Sequence, residues 1–289
     1  MHVGHVALQV PDVGLTADHA AAALGLFETE RTDSVALLTA NSKHHELQLT
    51  KGSNAGMDHI GLEVADSDEL ALVRQEALRH GGRLITEDVE EPGLGEAFRI
   101  EGPANVVFEV YTPMSVERFA IKHQVGRNAR KLGHVTMYSD ETDRLVGFIL
   151  EGLGFRVSDR AGGVTWMRCD ADHHGLAVAP HESGTVIHHY AFELDGWDGI
   201  RRYLDELAVR GEKIAYGPGR HGPGFNLYTY LPEPNGACIE GYADLLRIED
   251  ESTYEPIDWD AIPGHLNLWG PDVPDGFLDL GMPTLSSRR

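Results

Sequence analysis

Apolar and polar positions alternate with period two in two stretches that read alike, residues 4–10 (GHVALQV) and residues 133–139 (GHVTMYS). Such alternation marks a strand with one buried face. It sets His5, Ala7 and Gln9 opposite Val6, Leu8 and Val10, and His134 opposite Val135 and Met137. After each strand the spacing changes to that of a helix. Leu145, Phe148, Ile149 and Leu153 recur at helical intervals until GLGF at 152–155 stops the run, and ALGLF at 23–27 does the same earlier. Half-way through each stretch the pattern restarts. MDHIGLEV (57–64) leads into a helix over 68–80 closed by Gly81 and Gly82, and IHHYAFEL (187–194) leads into one over 200–210 closed by Gly211.

The chain therefore reads as four βαβββ units, two in each of two modules. Short turns between most successive strands exclude one doubly wound parallel sheet. The expected fold is α+β, with paired units forming two half-open antiparallel barrel modules and the helices outside. The expected organisation is a first module over 1–113, a polar connector over 114–131 and a second module over 132–246. A tail rich in Pro, Gly and Asp over 247–289 would wrap over one module.

The alternation also carries a duplicated chemical set. His5, His59 and Glu109 recur as His134, His189 and Glu240, at offsets of 129, 130 and 131 residues. Every member has the parity that points away from the helices and into the cup. A glutamate facing a barrel interior is costly unless it is paired or bound to metal. Two imidazoles and one carboxylate form the facial triad that holds Fe(II) or Mn(II) and leaves coordination positions open.

Composition narrows the partners. The 24 basic and 46 acidic side chains give a net charge of −22, which disfavours nucleic acid and anionic membrane surfaces. The chain shows no apolar run near membrane-spanning length and no leader pattern, so a cytoplasmic protein is expected. Two cysteines, Cys169 and Cys238, are too few for a disulfide scaffold.

Residues 219–242, GRHGPGFNLYTYLPEPNGACIEGY, resemble the signature of type I extradiol ring-cleavage dioxygenases of the vicinal oxygen chelate superfamily. That signature runs from a His (His221) through a Tyr (Tyr230) to an acidic–Pro–x–Gly turn (233–236) and a ligand Glu (Glu240). Thr229 departs from it, standing where an apolar residue is expected. LGHVTM, IHHYAFEL and NLWGP (267–271) are also similar to the family, so the likeness spans both modules and the tail. The resemblance implies a metal held by His134, His189 and Glu240, Fe(II) first and Mn(II) as the alternative. It further implies His174, 15 residues before His189, as a proton shuttle, with Tyr230 bonding a substrate oxygen and His221 orienting that network. Trp166 and His173 are expected to line the pocket. Arg220 is the one positive charge offered by YGPGRHG (216–222), and His188 is expected on the opposite, structural face.

The first module keeps His44, 15 residues before His59, but counting back from Glu109 puts Arg99 in the place of Tyr230 and Glu90 in that of His221. It is expected to be a scaffold, with His5, His59 and Glu109 as a vestigial second site. The implied partners are a small aromatic diol without charge and dioxygen, in a homo-oligomer of four or more chains. Two other readings stay open. One is a glyoxalase-like or isomerase metalloenzyme, which would assemble four protein ligands across modules. The other is a metal-free binding protein, which would have lost the ligands that both triads retain.

Overall fold

The computed structural model describes residues 1–116 and 129–285. The first half builds β1 (His2–Val10), α1 (Val13–Leu24), β2 (Phe27–Arg31), β3 (Val35–Thr39) and β4 (Leu47–Lys51). The unit then repeats as β5 (Gly56–Glu63), α2 (Ser67–Arg79), β6 (Arg83–Thr86), β7 (Ala97–Glu101) and β8 (Val107–Tyr111). The second half runs β9 (Ala129–Ser139), α3 (Thr142–Glu151), β10 (Arg156–Ala161), β11 (Val164–Arg168) and β12 (Leu176–Pro180). It is completed by β13 (Thr185–Leu194), α4 (Gly196–Val209), β14 (Tyr216–Arg220), β15 (Leu227–Pro232) and β16 (Cys238–Ala243). These are four βαβββ units in an α+β fold. Most of the connector expected over 114–131 lies outside the described residues, and β9 begins before its end.

Local chemistry explains the helix boundaries. Asp12 and Asp66 cap α1 and α2 by accepting from the backbone N–H groups of Leu15 and Glu69. Gly25 ends α1 in the left-handed region, at φ 71°. Leu145, Phe148 and Ile149 of α3, and Ile200, Tyr203 and Leu207 of α4, form the buried stripes that hold these helices on their sheets.

Strand order is β2-β3-β4-β1-β5-β8-β7-β6 in the first sheet, and β14-β15-β16-β13-β9-β12-β11-β10 recurs in the second. The central pairs β1/β5 and β9/β13 are antiparallel. The sheets are nevertheless mixed rather than purely antiparallel. Each unit pairs its first strand with its last in parallel, β1 with β4, β5 with β8, β9 with β12 and β13 with β16. The helix and intervening hairpin give the chain length that a parallel return requires. A register shift in β13 leaves His188 without a partner between Ile187 and His189, and a matching shift in β5 isolates Asp58. Both are β-bulges, which swing one side chain out of strict alternation.

Two buried carboxylates tie distant segments together. Glu46 is 2% exposed and accepts from Ala40 N, Asn41 Nδ2 and, across to the second sheet, Leu132 N at 3.0 Å. Asp159, 1% exposed, gathers the tail: Tyr254 Oη, Ile257 N and Trp259 Nε1 donate to it at 2.7–2.9 Å. The tail then adds β17 (Ile257–Asp258) beside β10 and β18 (Met282–Pro283) beside β13.

Candidate metal centre

Three neighbouring strands bring the second set of donors together. Ala191 on β13 faces His134 of β9 on one side and Glu240 of β16 on the other, and His189 lies two residues back on the same face. His134 Nε2 and His189 Nε2 stand 2.9 and 3.1 Å from Glu240 Oε2. The three residues are buried, and their donor atoms converge as a group able to hold one ion. Asn226 Nδ2 also donates to Glu240 Oε1, at 3.2 Å. Among the described residues no Lys or Arg pairs with this carboxylate. Burial pushes the Glu240 carboxyl up, but His134 and His189 outweigh it and hold the group well below the usual range. A buried anion between two imidazoles, without a permanent cation, fits a divalent metal.

The centre opens into a cavity of about 550 Å³. Its walls include Tyr138, Trp166, Tyr216, Val273 and Phe277, and among the described residues no Lys or Arg lines it. His174, Tyr230 and His221 line it too, as the sequence suggests. His221 Nδ1 donates to Leu266 O at 2.7 Å, which leaves Nε2 to accept from the Tyr230 hydroxyl at 3.0 Å. Burial lowers His221 to about 4, so it stays neutral. Burial also drives the Tyr230 phenol well up.

His174 sits in the loop leading into β12, with its ring centroid 4.3 Å from that of His134. Its Nδ1 is 3.0 Å from His173 Nδ1, and His173 Nε2 is 3.1 Å from Asp159 Oδ2. Burial pushes the Asp159 carboxyl up, but His173 and the Ile257 and Trp259 donors hold it down. His173 therefore stands between Asp159 and His174, within 3.1 and 3.0 Å of them.

Three expectations need correction. His173 is not a pocket residue: as the neighbour of His174 it faces the other way and serves Asp159. Arg220 is also outside the cavity, because its neighbour His221 takes the inward position. Its guanidinium donates to Phe225 O, pairs with Asp244 at 3.3 Å and lies over Trp269. His188 was assigned to the structural face by alternation, but the bulge turns it into the cavity. His188 Nδ1 is 2.7 Å from His189 Nδ1, and His188 Nε2 donates to Phe277 O at 3.1 Å. The tail thus orients His189 through His188, as outer partners do for a metal-bound imidazole.

The first module repeats this plan with a one-residue offset. His45, not His44, is the counterpart of His174: it packs 4.9 Å from His5, while His44 bridges His45 and Glu30 as His173 bridges His174 and Asp159. The intervening turn is one residue shorter, which misleads the interval count. Glu90 is exposed, and Glu91 turns inward in its place. Sequence reading also passed over Asn226, although it shares the parity of Tyr230 on the same run. The tail groups Leu266, Val273 and Phe277 had no periodicity to betray them.

Residues 131–240 match the family described as the Glyoxalase/Bleomycin resistance protein/Dioxygenase superfamily. The chain is 28% identical to a manganese-dependent 2,3-dihydroxybiphenyl 1,2-dioxygenase of Geobacillus genomosp. 3, over 96% of each chain. It is 27% identical to metapyrocatechase 2 of Cupriavidus necator, covering 96% of this chain and 91% of that one. An iron-dependent extradiol dioxygenase of Rhodococcus jostii is 24% identical, covering 95% and 97%. Homoprotocatechuate 2,3-dioxygenase from Brevibacterium fuscum has a similar fold, with TM-score 0.89 at 24% identity over 99% of this chain and 93% of that one.

Proposed function

Because this chain belongs to the Glyoxalase/Bleomycin resistance protein/Dioxygenase superfamily, of vicinal oxygen chelate fold, we infer that it is an extradiol dioxygenase. It cleaves a catechol ring beside the diol and incorporates both atoms of dioxygen. The observation that carries this reading is the uncompensated Glu240 carboxylate, set between two imidazoles on an aromatic cavity beside the Tyr230–His221 pair. His134, His189 and Glu240 would hold Fe(II) or Mn(II), the two metals named for its relatives. The bound metal supplies coordination positions for the catechol oxygens and dioxygen, and a path for electron density between ring and oxygen.

The chain's own residues manage the protons. Tyr230 gives its hydrogen to His221, so its oxygen lone pairs are free to accept from a substrate hydroxyl. That orientation is fixed by the neutral His221, whose Nε2 Leu266 keeps as the acceptor for the Tyr230 hydroxyl. On the opposite flank His173 meets His174 at Nδ1, leaving the His174 Nε2 to receive and return a proton near the reacting oxygen. Trp166, Tyr138 and Phe277 form apolar walls that exclude water.

A glyoxalase-like or isomerase reading needs ligands shared between modules. The three donors gathered here all come from the second half of the chain, which favours ring cleavage. Among the described residues no Lys or Arg lines the cavity, which supports an uncharged catechol as substrate. The two cysteines, free in the structure, support a cytoplasmic setting. We further propose a homo-oligomer of four or more chains, to be checked by light scattering.

The test is anaerobic reconstitution with Fe(II) or Mn(II), followed by oxygen uptake and product absorbance across a panel of catechols. Oxygen consumption with a coloured ring-opened product is expected. Absence of both with either metal would overturn the assignment. A preference above about tenfold, or about 1.4 kcal/mol, for carboxylated over alkyl catechols would overturn the substrate class.

A further inference from the structure

The first module holds its donors in the same register. Gly61 faces both His5 and Glu109 across the ladder, as Ala191 faces His134 and Glu240. His5 Nε2 and His59 Nε2 are 2.9 Å apart, and the Glu109 oxygens lie 3.5 and 3.7 Å from them. All three residues are fully buried, and Glu91 completes a convergent four-donor group. What differs is the residue paired with the glutamate on the next strand. Tyr230 stands opposite Glu240, whereas Arg99 stands opposite Glu109. Arg99 Nε donates to Glu109 Oε2 at 2.6 Å, and a terminal nitrogen of its guanidinium donates to Glu91. Glu109 Oε1, buried in the cluster, has no hydrogen-bond partner among the described residues.

We propose that Arg99 is a built-in cation that replaces the metal in the amino-terminal barrel, leaving His5, His59, Glu91 and Glu109 as a latent divalent-metal site. A guanidinium does not lose its proton in a protein, so the substitution is permanent across the working pH range. It satisfies the same two carboxylates that a metal would. Taking the guanidinium away leaves two carboxylates and two imidazoles converging on one point, a donor set suited to Mn(II), Fe(II) or Zn(II). The consequence is that oxygen-activating metal is confined to the barrel that owns a tyrosine–histidine pair.

Mn(II) is the probe, counted per full-length chain after anaerobic loading and removal of free metal. Wild type and Arg99→Lys are expected to hold one ion, and Arg99→Ala and Arg99→Met two. His5→Ala added to Arg99→Ala returns the count to one. The Arg99→Ala/His134→Ala double variant also holds one, which keeps this site separate from the catalytic reading: a wild type without metal would sink that reading alone. Mn(II) should raise the melting temperature of Arg99→Ala more than that of wild type. Two ions in wild type, or a folded Arg99→Ala and Arg99→Met that stay at one, would overturn the proposal. So would failure of both variants to fold with Mn(II) present, because a filled site restores the missing charge.

Discussion

Asn226→Ala separates holding the metal from using it. Glu240 Oε2 faces both histidines, while Oε1 accepts a hydrogen bond from Asn226 Nδ2 at 3.2 Å. Asn226 is 1% exposed, so water does not readily take its place. A hydrogen bond to a charged acceptor contributes about 1.5–3 kcal/mol. Loss of an outer partner that orients a ligand costs roughly 10–100-fold in metal affinity, or about 1.4–2.8 kcal/mol. The two routes agree, so Mn(II) and Fe(II) should bind roughly 10–100-fold more weakly. Asn226 touches the proton-handling residues only through its backbone carbonyl, which accepts from His221 N at 3.0 Å and survives in alanine, so kcat at saturating metal should stay within about threefold. The assay is initial oxygen uptake against free metal set by a competing chelator, in anaerobically prepared protein. A metal Kd within about twofold of wild type, or a kcat loss that saturating metal does not repair, would refute the argument.

Other consequences follow from the same geometry. Tyr230→Phe removes the hydroxyl that accepts from substrate, so kcat/KM should fall about 10–100-fold with unchanged metal content; an undiminished rate would remove Tyr230 from the mechanism. Asp159→Ala strips the buried acceptor from Tyr254, Ile257 and Trp259, so urea unfolding should show a loss of about 3–5 kcal/mol; unchanged unfolding would mean the tail is held elsewhere. Burial lowers His45 and His188 to about 3 in the folded chain, against about 6.5 unfolded. Their neutral forms therefore stabilise the fold fully above pH 6.5, and that stability is lost as pH falls toward 3. The urea midpoint of metal-free protein should drop steadily below pH 6.5, and a midpoint flat down to pH 4 would contradict the burial argument.

The strand alternation of residues 4–10 and 133–139 made much of this legible in the sequence, because a two-residue period directly states which side chains face the cup. The ligand set follows from parity and duplication, whereas Tyr230 and His221 follow from the resemblance of residues 219–242 to the family signature. What parity could not convey is where it breaks. The bulge at His188 inserts one residue without any compositional mark, and turns a supposedly structural histidine into a partner of His189. The shorter turn before β5 likewise makes His44 look like the match of His174 when His45 is. For the adjacent pairs His173/His174 and Arg220/His221 the sequence points both members at the pocket, whereas only His174 and His221 line it. The tail orients His221 and His188 through backbone carbonyls, which carry no residue-specific signal.

Those two carbonyls also set an order of assembly. Leu266 O fixes His221, and Phe277 O fixes His188 and through it His189. On the ribosome the three donors emerge first, while the segment that orients their surroundings follows later. A nascent chain halted between Glu240 and Leu266 would own a complete metal triad with a free-swinging His221 and an unsupported His189. A chain cut short before Leu266 is thus expected to gather the three donors without the carbonyls that set His221 and His188 for turnover.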